Sequence, residues 1–370
     1  FAARLEGLGA SLSAGASSER FTFRGSGLPR VMPELLELFA MTWLTPRFDE
    51  AEVAKTRNLQ LKKLMHKRSV PTYAASRALS EALFPGCAYG FYDLDEAFLE
   101  AVGVEQLRRH QRDLIATVPK QGAVFLAVGD FDARALVERL RGLLGGVPRR
   151  QTESVLRPAC GEAPPAQVIL IDRPGSTQSV ITLGSRIPGV QGGDPAAIDL
   201  CDEILGGGAS RRLFKRLREE LGLTYGAYSS VHRHDALGSW TLSLQTRTEK
   251  TGEALRELSA TLDGLRETPV PDVERGRAVD YVLGAFPRKG ASPASQLGRL
   301  SYVVVHELPW DYWARYLRRY TEVTSADLLA EAKRWLPSIE RSIIVIVGDA
   351  AKVQAQLTLP EGLPVKVISQ

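Results

Sequence analysis

The stretch SRRLFKRLREELGLTYGAYSS, residues 210–230, decides the fold of this chain. Its apolar residues recur at helical spacing, Ser210 is the expected N-cap, and Gly222 ends the helix. The alternating residues after this glycine are typical of a strand. The predicted helix buries one apolar stripe, formed by Leu213, Phe214, Leu217 and Leu221. We therefore expect Arg218 at the edge of this stripe and Tyr225 at the start of the strand.

The chain contains an internal repeat with a long period. An apolar run ends in Val-Gly-Asp at residues 128–130, and another does so at residues 347–349, 219 positions later. Similar segments also begin at Pro71 and Pro293, 222 positions apart. Several matches in the same order at a nearly constant offset indicate two copies of one domain.

The two copies contain the same predicted elements. Strand pairs are expected at 10–15 with 19–25 and at 225–232 with 238–246. The segments MPELLELFAMTWL, residues 32–44, and TGEALRELSATLDGL, residues 251–265, carry apolar residues at helical spacing. Two further helices are expected in each copy, near 50–67 and 71–83 and near 272–287 and 292–307. A strand before Val-Gly-Asp closes each copy. Runs of strands and runs of helices within one copy predict an α+β fold of two homologous domains, each with helices packed on a largely antiparallel sheet.

The domain boundaries follow from the repeat. Residues 149–166 are polar, contain prolines and have no period, which predicts a linker. The first domain is then 1–148 and the second 167–370. More residues precede Val-Gly-Asp in the second copy than lie between Phe1 and the Val-Gly-Asp of the first copy. We therefore expect the first domain to be N-terminally truncated, without its first strand and helix.

The composition excludes several classes of protein. The 370 residues are 44% hydrophobic and 24% charged, with a net charge of +4, which argues against nucleic-acid binding by charge alone. No apolar run approaches the roughly 18 residues of a membrane span. Cys87, Cys160 and Cys201 form no Cys-x-x-Cys pair, so a thiolate zinc site is not expected, and all three are predicted to be buried free thiols.

The second copy resembles the pitrilysin-like zinc metallopeptidases. This family includes insulysin, the mitochondrial processing peptidase and the core subunits of the respiratory cytochrome bc complex. The most specific block is LGGGASRRLFKRLREELGLTY, residues 205–225. The resemblance extends through both copies and implies the pitrilysin-like metallohydrolase fold for each of them.

Active members of this family bind zinc through His-x-x-Glu-His on one helix and a distant glutamate. No His-x-x-Glu-His occurs among the five histidines of the sequence. Lys63 aligns with the distant glutamate, in a stretch, residues 55–68, without any acidic residue. The sequence HRHD at 232–235 is interpreted as a solvated strand end rather than a metal site. The resemblance therefore implies no metal ligands and no cofactor in this chain, with the zinc in a catalytic partner.

The resemblance also implies which residues act on a substrate. In the family, an arginine and a tyrosine seven residues apart reach the zinc site, and Arg218 and Tyr225 match this pair. Tyr225 would donate its hydroxyl to the scissile carbonyl as negative charge develops there. Arg218 would hold the substrate backbone through charge-assisted hydrogen bonds. Gly206, Gly207 and Gly208 lie where processing peptidases have a longer glycine-rich, substrate-contacting loop, and they are candidate substrate-binding residues.

These observations predict a non-catalytic, substrate-binding subunit of a bacterial heterodimeric zinc endopeptidase, inactive alone. Its partners would be a homologous catalytic zinc-binding subunit and a peptide substrate. One alternative is a self-sufficient zinc peptidase whose motif precedes Phe1. Another is a structural scaffold similar to the respiratory core proteins. Because bacterial peptidases of this kind are often exported in pairs, the periplasm is the expected location, with the cytoplasm as the alternative.

Overall fold

The computed structural model describes residues 1–117, 123–145, 160–206 and 211–369. The chain divides into two compact units. Unit 1 comprises residues 1–65, 94–157 and 292–301, and unit 2 comprises residues 66–93, 158–291 and 302–370. Unit 2 therefore contains a segment, residues 66–93, that lies inside the sequence range predicted for the first domain.

Within the described ranges, the chain forms fifteen α-helices and eight strands. The helices are α1 (Ala2–Gly7), α2 (Met32–Leu44), α3 (Glu50–Ser69), α4 (Pro71–Leu83), α5 (Glu96–Ala101), α6 (Val104–Thr117), α7 (Ala133–Leu144), α8 (Pro195–Gly206), α9 (Arg212–Phe214), α10 (Thr251–Glu267), α11 (Asp272–Lys289), α12 (Pro293–Val305), α13 (Tyr312–Glu322), α14 (Ser325–Trp335) and α15 (Ala350–Gln354). The strands are β1 (Ser11–Ala16), β2 (Phe21–Ser26), β3 (Gln167–Asp172), β4 (Gln178–Pro188), β5 (Thr224–Arg233), β6 (Leu237–Arg247), β7 (Ile343–Gly348) and β8 (Val365–Ser369).

Unit 2 is built on a six-stranded sheet with the order β5-β6-β4-β7-β3-β8. The pairs β5–β6, β6–β4 and β4–β7 are antiparallel, whereas β7–β3 and β3–β8 are parallel. Helices pack on this largely antiparallel sheet, so the predicted α+β class is confirmed. The strand β5 lies at one edge of the sheet, and it begins with the residues that the sequence singles out.

The two faces of this sheet bury different sets of residues. One face packs against α8, α10 and α14 and forms the larger core, which includes Ile181, Leu183, Leu242 and Trp240. The opposite face of the central strands packs against α4. The strands β3, β4 and β7 are therefore buried on both faces, and the sequences of β3 and β7 are nearly continuous apolar runs.

Helix α4 carries a second small core on the face of the sheet that it covers. Ala75, Leu79 and Leu83 are buried there, together with Val180 and Val345 of the sheet. Beyond the end of α4, a disulfide joins Cys87 to Cys160. The prediction of three free thiols is therefore wrong for this pair and holds only for Cys201, which is buried and free. Sequence spacing could not reveal the bond, because it joins positions that only the packing of α4 brings together.

Unit 1 contains the antiparallel pair β1–β2, with Ser11 opposite Ser26. Helix α2 packs on β2 and buries Leu35, Leu36 and Leu38. The predicted strand before the first Val-Gly-Asp is wrong, because residues 123–128 have no strand assignment. In unit 2 the corresponding strand, β7, lies between β3 and β4, and the described part of unit 1 has no counterparts of those two strands.

Candidate functional site

The site is built around a corner between a short helix and the edge strand of unit 2. Helix α9 begins at Arg212 with Arg211 as its N-cap, one residue later than predicted, and Ser210 lies outside the described residues. It continues as a π-helical turn, Lys215–Glu220, instead of the regular helix predicted up to Gly222. Such turns are rare and are often found at functional sites.

Gly222 ends this helix and turns the chain into β5. Its φ of 60° lies in the left-handed region, as predicted for a residue after a helix C-terminus. The amide of Gly222 donates to Arg218 O at 3.1 Å, and the amide of Leu223 donates to Leu217 O at 2.8 Å. These bonds fix the angle at which the strand leaves the helix. They therefore set the positions of the arginine before the corner and the tyrosine after it.

Arg218 is exposed on the π-helical turn, whose buried residue is Leu217. Its guanidinium carbon lies 4.6 Å from the centre of the Phe214 ring. An arginine stacked on an aromatic ring keeps its donors available while its position is restricted. The side chain therefore lies at the edge of the apolar stripe, as the sequence predicts.

Tyr225 is held outside the core by a β-bulge. The register of β5 against β6 shifts between Thr224 and Ala227, so an extra residue separates these two buried positions. The buried Thr224 forms the bulge, because its Oγ1 donates to Gly226 O at 2.8 Å and accepts from Gly226 N at 3.1 Å. As a result the Tyr225 side chain is 86% exposed. Such exposure excludes core packing as the reason for a tyrosine at this position.

A buried polar network lies beneath the same strand. Asp202 of α8 accepts hydrogen bonds from Ser229 Oγ and from Trp240 Nε1, the latter at 2.9 Å. Trp240 Nε1 also lies 2.8 Å from Ser229 Oγ. Burial raises the pKa of Asp202 from 3.8 to about 6, and the two hydrogen bonds only partly oppose this. This network ties β5 and β6 to α8, and sequence reasoning missed it because an isolated aspartate on a helix gives no signal.

Gly206, at the end of α8, packs directly against the backbone of β5. A Cβ atom at this position would lie 2.5 Å from Ser229 N, which is closer than atoms can approach. The glycine therefore allows α8 to lie close to the strand. Gly207 and Gly208, the other two candidate substrate-binding residues, lie outside the described residues.

The histidines of HRHD have different environments. His232 is exposed, whereas His234 is half-buried and stacks on Tyr89 with the ring centres 4.1 Å apart. Asp235 binds the buried His306. Within the described ranges, no group of three or more His, Cys, Asp or Glu side chains could hold a metal ion. Lys63 is exposed on α3, and an ammonium group is not a ligand for zinc. The described residues therefore do not fit the zinc site of active pitrilysin-like enzymes.

Comparisons with known proteins find related sequences. Residues 119–281 match the family described as the peptidase M16 inactive domain. An uncharacterized zinc protease of Mycobacterium tuberculosis strain H37Rv is 22% identical over 333 residues, which are 90% of this chain and 76% of that protein. An uncharacterized zinc protease of Streptomyces coelicolor is 27% identical over 242 residues, 63% of this chain and 51% of that protein.

Solved structures share the fold over nearly the whole chain. A peptidase M16 inactive domain from Pseudomonas fluorescens superposes with a TM-score of 0.83 at 26% identity, covering 94% of this chain and 83% of that one. The periplasmic protease PqqL of Escherichia coli superposes with a TM-score of 0.72 at 12% identity, covering 93% of this chain and 38% of that one, which shows a common fold. Together with the corner around Gly222, these matches show that the chain is similar to pitrilysin-like proteins of the peptidase M16 group, and that residues 119–281 are similar to the inactive domain of that group.

Proposed function

We propose that this chain is the non-catalytic, substrate-binding subunit of a heterodimeric zinc endopeptidase, and that Arg218 and Tyr225 act at the zinc site of a homologous partner. The observation that supports this most is the 86% exposure of Tyr225. The bulge at Thr224 and Gly226 holds the ring outside the core, at an energetic cost that a purely structural strand would avoid. An exposed tyrosine of fixed position is suited to act on a molecule from outside the unit.

The chemistry assigned to Tyr225 is hydrogen-bond donation. When a peptide carbonyl is attacked, its oxygen gains negative charge, and a phenolic hydroxyl placed beside it stabilises this charge more than it stabilises the ground state. Removal of one such donor typically raises the barrier by about 2.7–4 kcal/mol. Arg218, on the turn before Gly222, offers several N–H donors and would hold a peptide backbone carbonyl or a terminal carboxylate.

Activation of water is assigned to the partner. The described residues contain no cluster of ligands for zinc, so the metal and the general base of the reaction would come from a second chain that carries His-x-x-Glu-His. When bound in that partner, zinc supplies the polarisation of the carbonyl and the activated water. This chain contributes the oxyanion donor and the grip on the substrate backbone.

The disulfide supports an exported location. Disulfides persist in oxidising compartments such as the periplasm and are rare in the cytoplasm. Cys87 and Cys160 are joined, and one end of the bond is buried. The structural likeness to the periplasmic protease PqqL is consistent with this location. In the part of the chain that is described, no helix is both long and apolar enough to cross a membrane.

The proposal is tested by mixing the purified chain with its homologous partner and measuring cleavage of quenched fluorescent peptides. We expect activity from the mixture and little from either chain. In the mixture, Tyr225→Phe should lower kcat roughly 100-fold or more with KM nearly unchanged, and Arg218→Ala should also raise KM.

Three outcomes would contradict the proposal. Stoichiometric zinc in the full-length chain alone, lost together with activity on chelation, would show a self-sufficient peptidase. A partner that is fully active by itself would contradict the idea that each chain supplies only part of the active site. A Tyr225→Phe mixture with the wild-type rate would favour a structural scaffold.

A further inference from the structure

A second exposed tyrosine stands next to Tyr225 on the same strand. Tyr228 is 62% exposed, and its Cα pairs with that of Ser243 on β6. Tyr228 follows the bulge along β5, whereas Tyr225 precedes it. Its neighbours Ala227 and Ser229 are buried. An exposed aromatic ring leaves a large apolar area in water, so two of them within four residues mark a surface that differs from an ordinary strand edge.

The ring of Tyr228 is held against the backbone of the bulge. A Cβ atom at Gly226 would lie 2.7 Å from Tyr228 Oη and 2.9 Å from its Cε2 and Cζ atoms. The hydroxyl end of the ring therefore lies over Gly226 and points back along β5 toward Tyr225. Only a glycine at position 226 leaves room for this arrangement. One face of the ring is fixed by the chain, and the opposite face is open to solvent.

The surroundings of the ring are small and polar. On the same side of the sheet, the next residues along β5 are Ser230 and His232, and the residues opposite on β6 are Ser239, Thr241 and Ser243. None of these side chains is large and apolar. Apart from Tyr225, a ligand that approaches these residues of β5 and β6 therefore meets the ring of Tyr228 as its broad apolar surface.

We propose that Tyr228 selects the substrate by binding a large apolar or aromatic side chain of the peptide close to the scissile bond. The inference rests on the proposed function of Tyr225, which fixes where the scissile carbonyl lies. The ring of Tyr228 extends back over Gly226. We therefore expect it to contact the substrate about two residues of an extended peptide, roughly 7 Å, away from Tyr225. The selected side chain belongs to a substrate residue within two positions of the scissile bond.

The ring acts through stacking and burial of apolar area, and its hydroxyl is not required. Loss of one well-packed apolar contact changes kcat/KM by roughly 10- to 200-fold. Discrimination between a phenylalanine and an alanine in the selected substrate position should therefore be roughly 10-fold or more in the wild-type protein. It should fall to nearly one when the ring is removed.

The experiment uses the full chain assembled with its catalytic partner and a set of quenched fluorescent peptides. In these peptides each of the two positions on either side of the scissile bond is, in turn, phenylalanine or alanine. The readout is the ratio of kcat/KM for the two peptides of each pair. Tyr228→Phe should keep the ratio, and Tyr228→Ala should abolish it. Gly226→Ala should lower it, because the new methyl group displaces the ring.

Phe91→Ala is the matched control, because Phe91 is 66% exposed elsewhere in unit 2, and it should leave the ratio unchanged. Tyr225→Phe separates the two proposals, since it should slow both peptides of a pair equally. If Tyr225→Phe has this effect but Tyr228→Ala leaves the wild-type ratio intact, the inference about Tyr228 is wrong and the proposed function stands. If the assembled protein lacks activity, the proposed function fails. Binding can then still be measured, and equal dissociation constants for labelled phenylalanine and alanine peptides would also overturn the role of Tyr228.

Discussion

Replacement of Asp202 by asparagine tests the energetics of the buried network beneath β5. Asp202 accepts from Ser229 and Trp240, and burial raises its pKa from 3.8 to about 6. The folded protein therefore holds this proton more tightly than the unfolded chain does. The resulting stabilisation is fully present below about pH 3.8 and is lost as the pH rises through about 6. At about 1.4 kcal/mol for each tenfold change in acidity, the pH-dependent part amounts to about 3 kcal/mol.

The variant Asp202→Asn removes this titration. Its amide oxygen still accepts from Ser229 and Trp240, but its new N–H groups are buried, which costs about 1–2 kcal/mol at every pH. At pH 7.5 the variant should therefore be more stable than the wild type by about 1–2 kcal/mol. At pH 4.5 about 2 kcal/mol of the wild-type stabilisation has returned. The wild type should therefore be as stable as the variant or more stable at this pH.

Urea unfolding of the two proteins at pH 4.5, 6.0 and 7.5, followed by tryptophan fluorescence, measures the free energy of unfolding in each case. Asp280→Asn, at an exposed position of α11, is the control and should change stability by less than about 0.5 kcal/mol. A difference between Asp202→Asn and the wild type that is the same at all three pH values would refute the argument. It would show that the carboxyl group is solvated in the folded protein.

Three further outcomes can be measured with single substitutions. Cys87→Ser should lower the free energy of unfolding by roughly 2–4 kcal/mol, because the bond with Cys160 closes a loop of 73 residues. A reductant should lower the Tm of the wild type and of the control Cys201→Ser, but it should not change the Tm of Cys87→Ser. Gly206→Ala should destabilise unit 2 by about 1–3 kcal/mol in urea unfolding, because its methyl group would clash with Ser229 N; stability equal to the wild type would show that α8 can move away from β5. Thr224→Val should lower the kcat of the assembled protein at least 10-fold with a loss of about 1 kcal/mol in stability, because it removes both side-chain bonds that form the bulge.

The sequence predicts most of the regular elements of the fold. The predicted ends of α3 and α4 lie within two residues of the observed ends, and the strand pair β5–β6 follows the glycine corner as expected. These elements are predictable because their signals are local: helical spacing, a prolyl N-terminus, and glycine at a positive φ. The parallel pairs of β3 with β7 and β8 depend on contacts between distant segments, and no local pattern reveals them.

Long-range packing also explains what the sequence missed. Helix α4 has an apolar face that any sheet could cover, and the structure places it on β4 and β7. This helix lies in the sequence range predicted for the first domain, and the compact unit 2 contains it. The bond between Cys87 and Cys160 follows from the same placement. For the candidate site, the pair Arg218 and Tyr225 was visible in the sequence, whereas the π-helical turn, the bulge and the position of Tyr228 arise from hydrogen bonds that spacing does not encode.

Several departures from regular structure in unit 2 lie in one segment of the chain. Between Asp202 and Ser229 lie a buried carboxyl group, a π-helical turn, a bulge and two exposed tyrosine rings. The strands β3, β4 and β7, in contrast, are regular and largely buried. Each of these departures costs stability, and proteins accept such costs mainly where function requires a particular geometry. If this holds here, Asp202→Asn should stabilise the chain at neutral pH and yet lower the activity of the assembled protein, because the new N–H groups buried beneath β5 would shift the strand that carries Tyr225. An asparagine variant that is both more stable and equally active would show that the network serves packing alone.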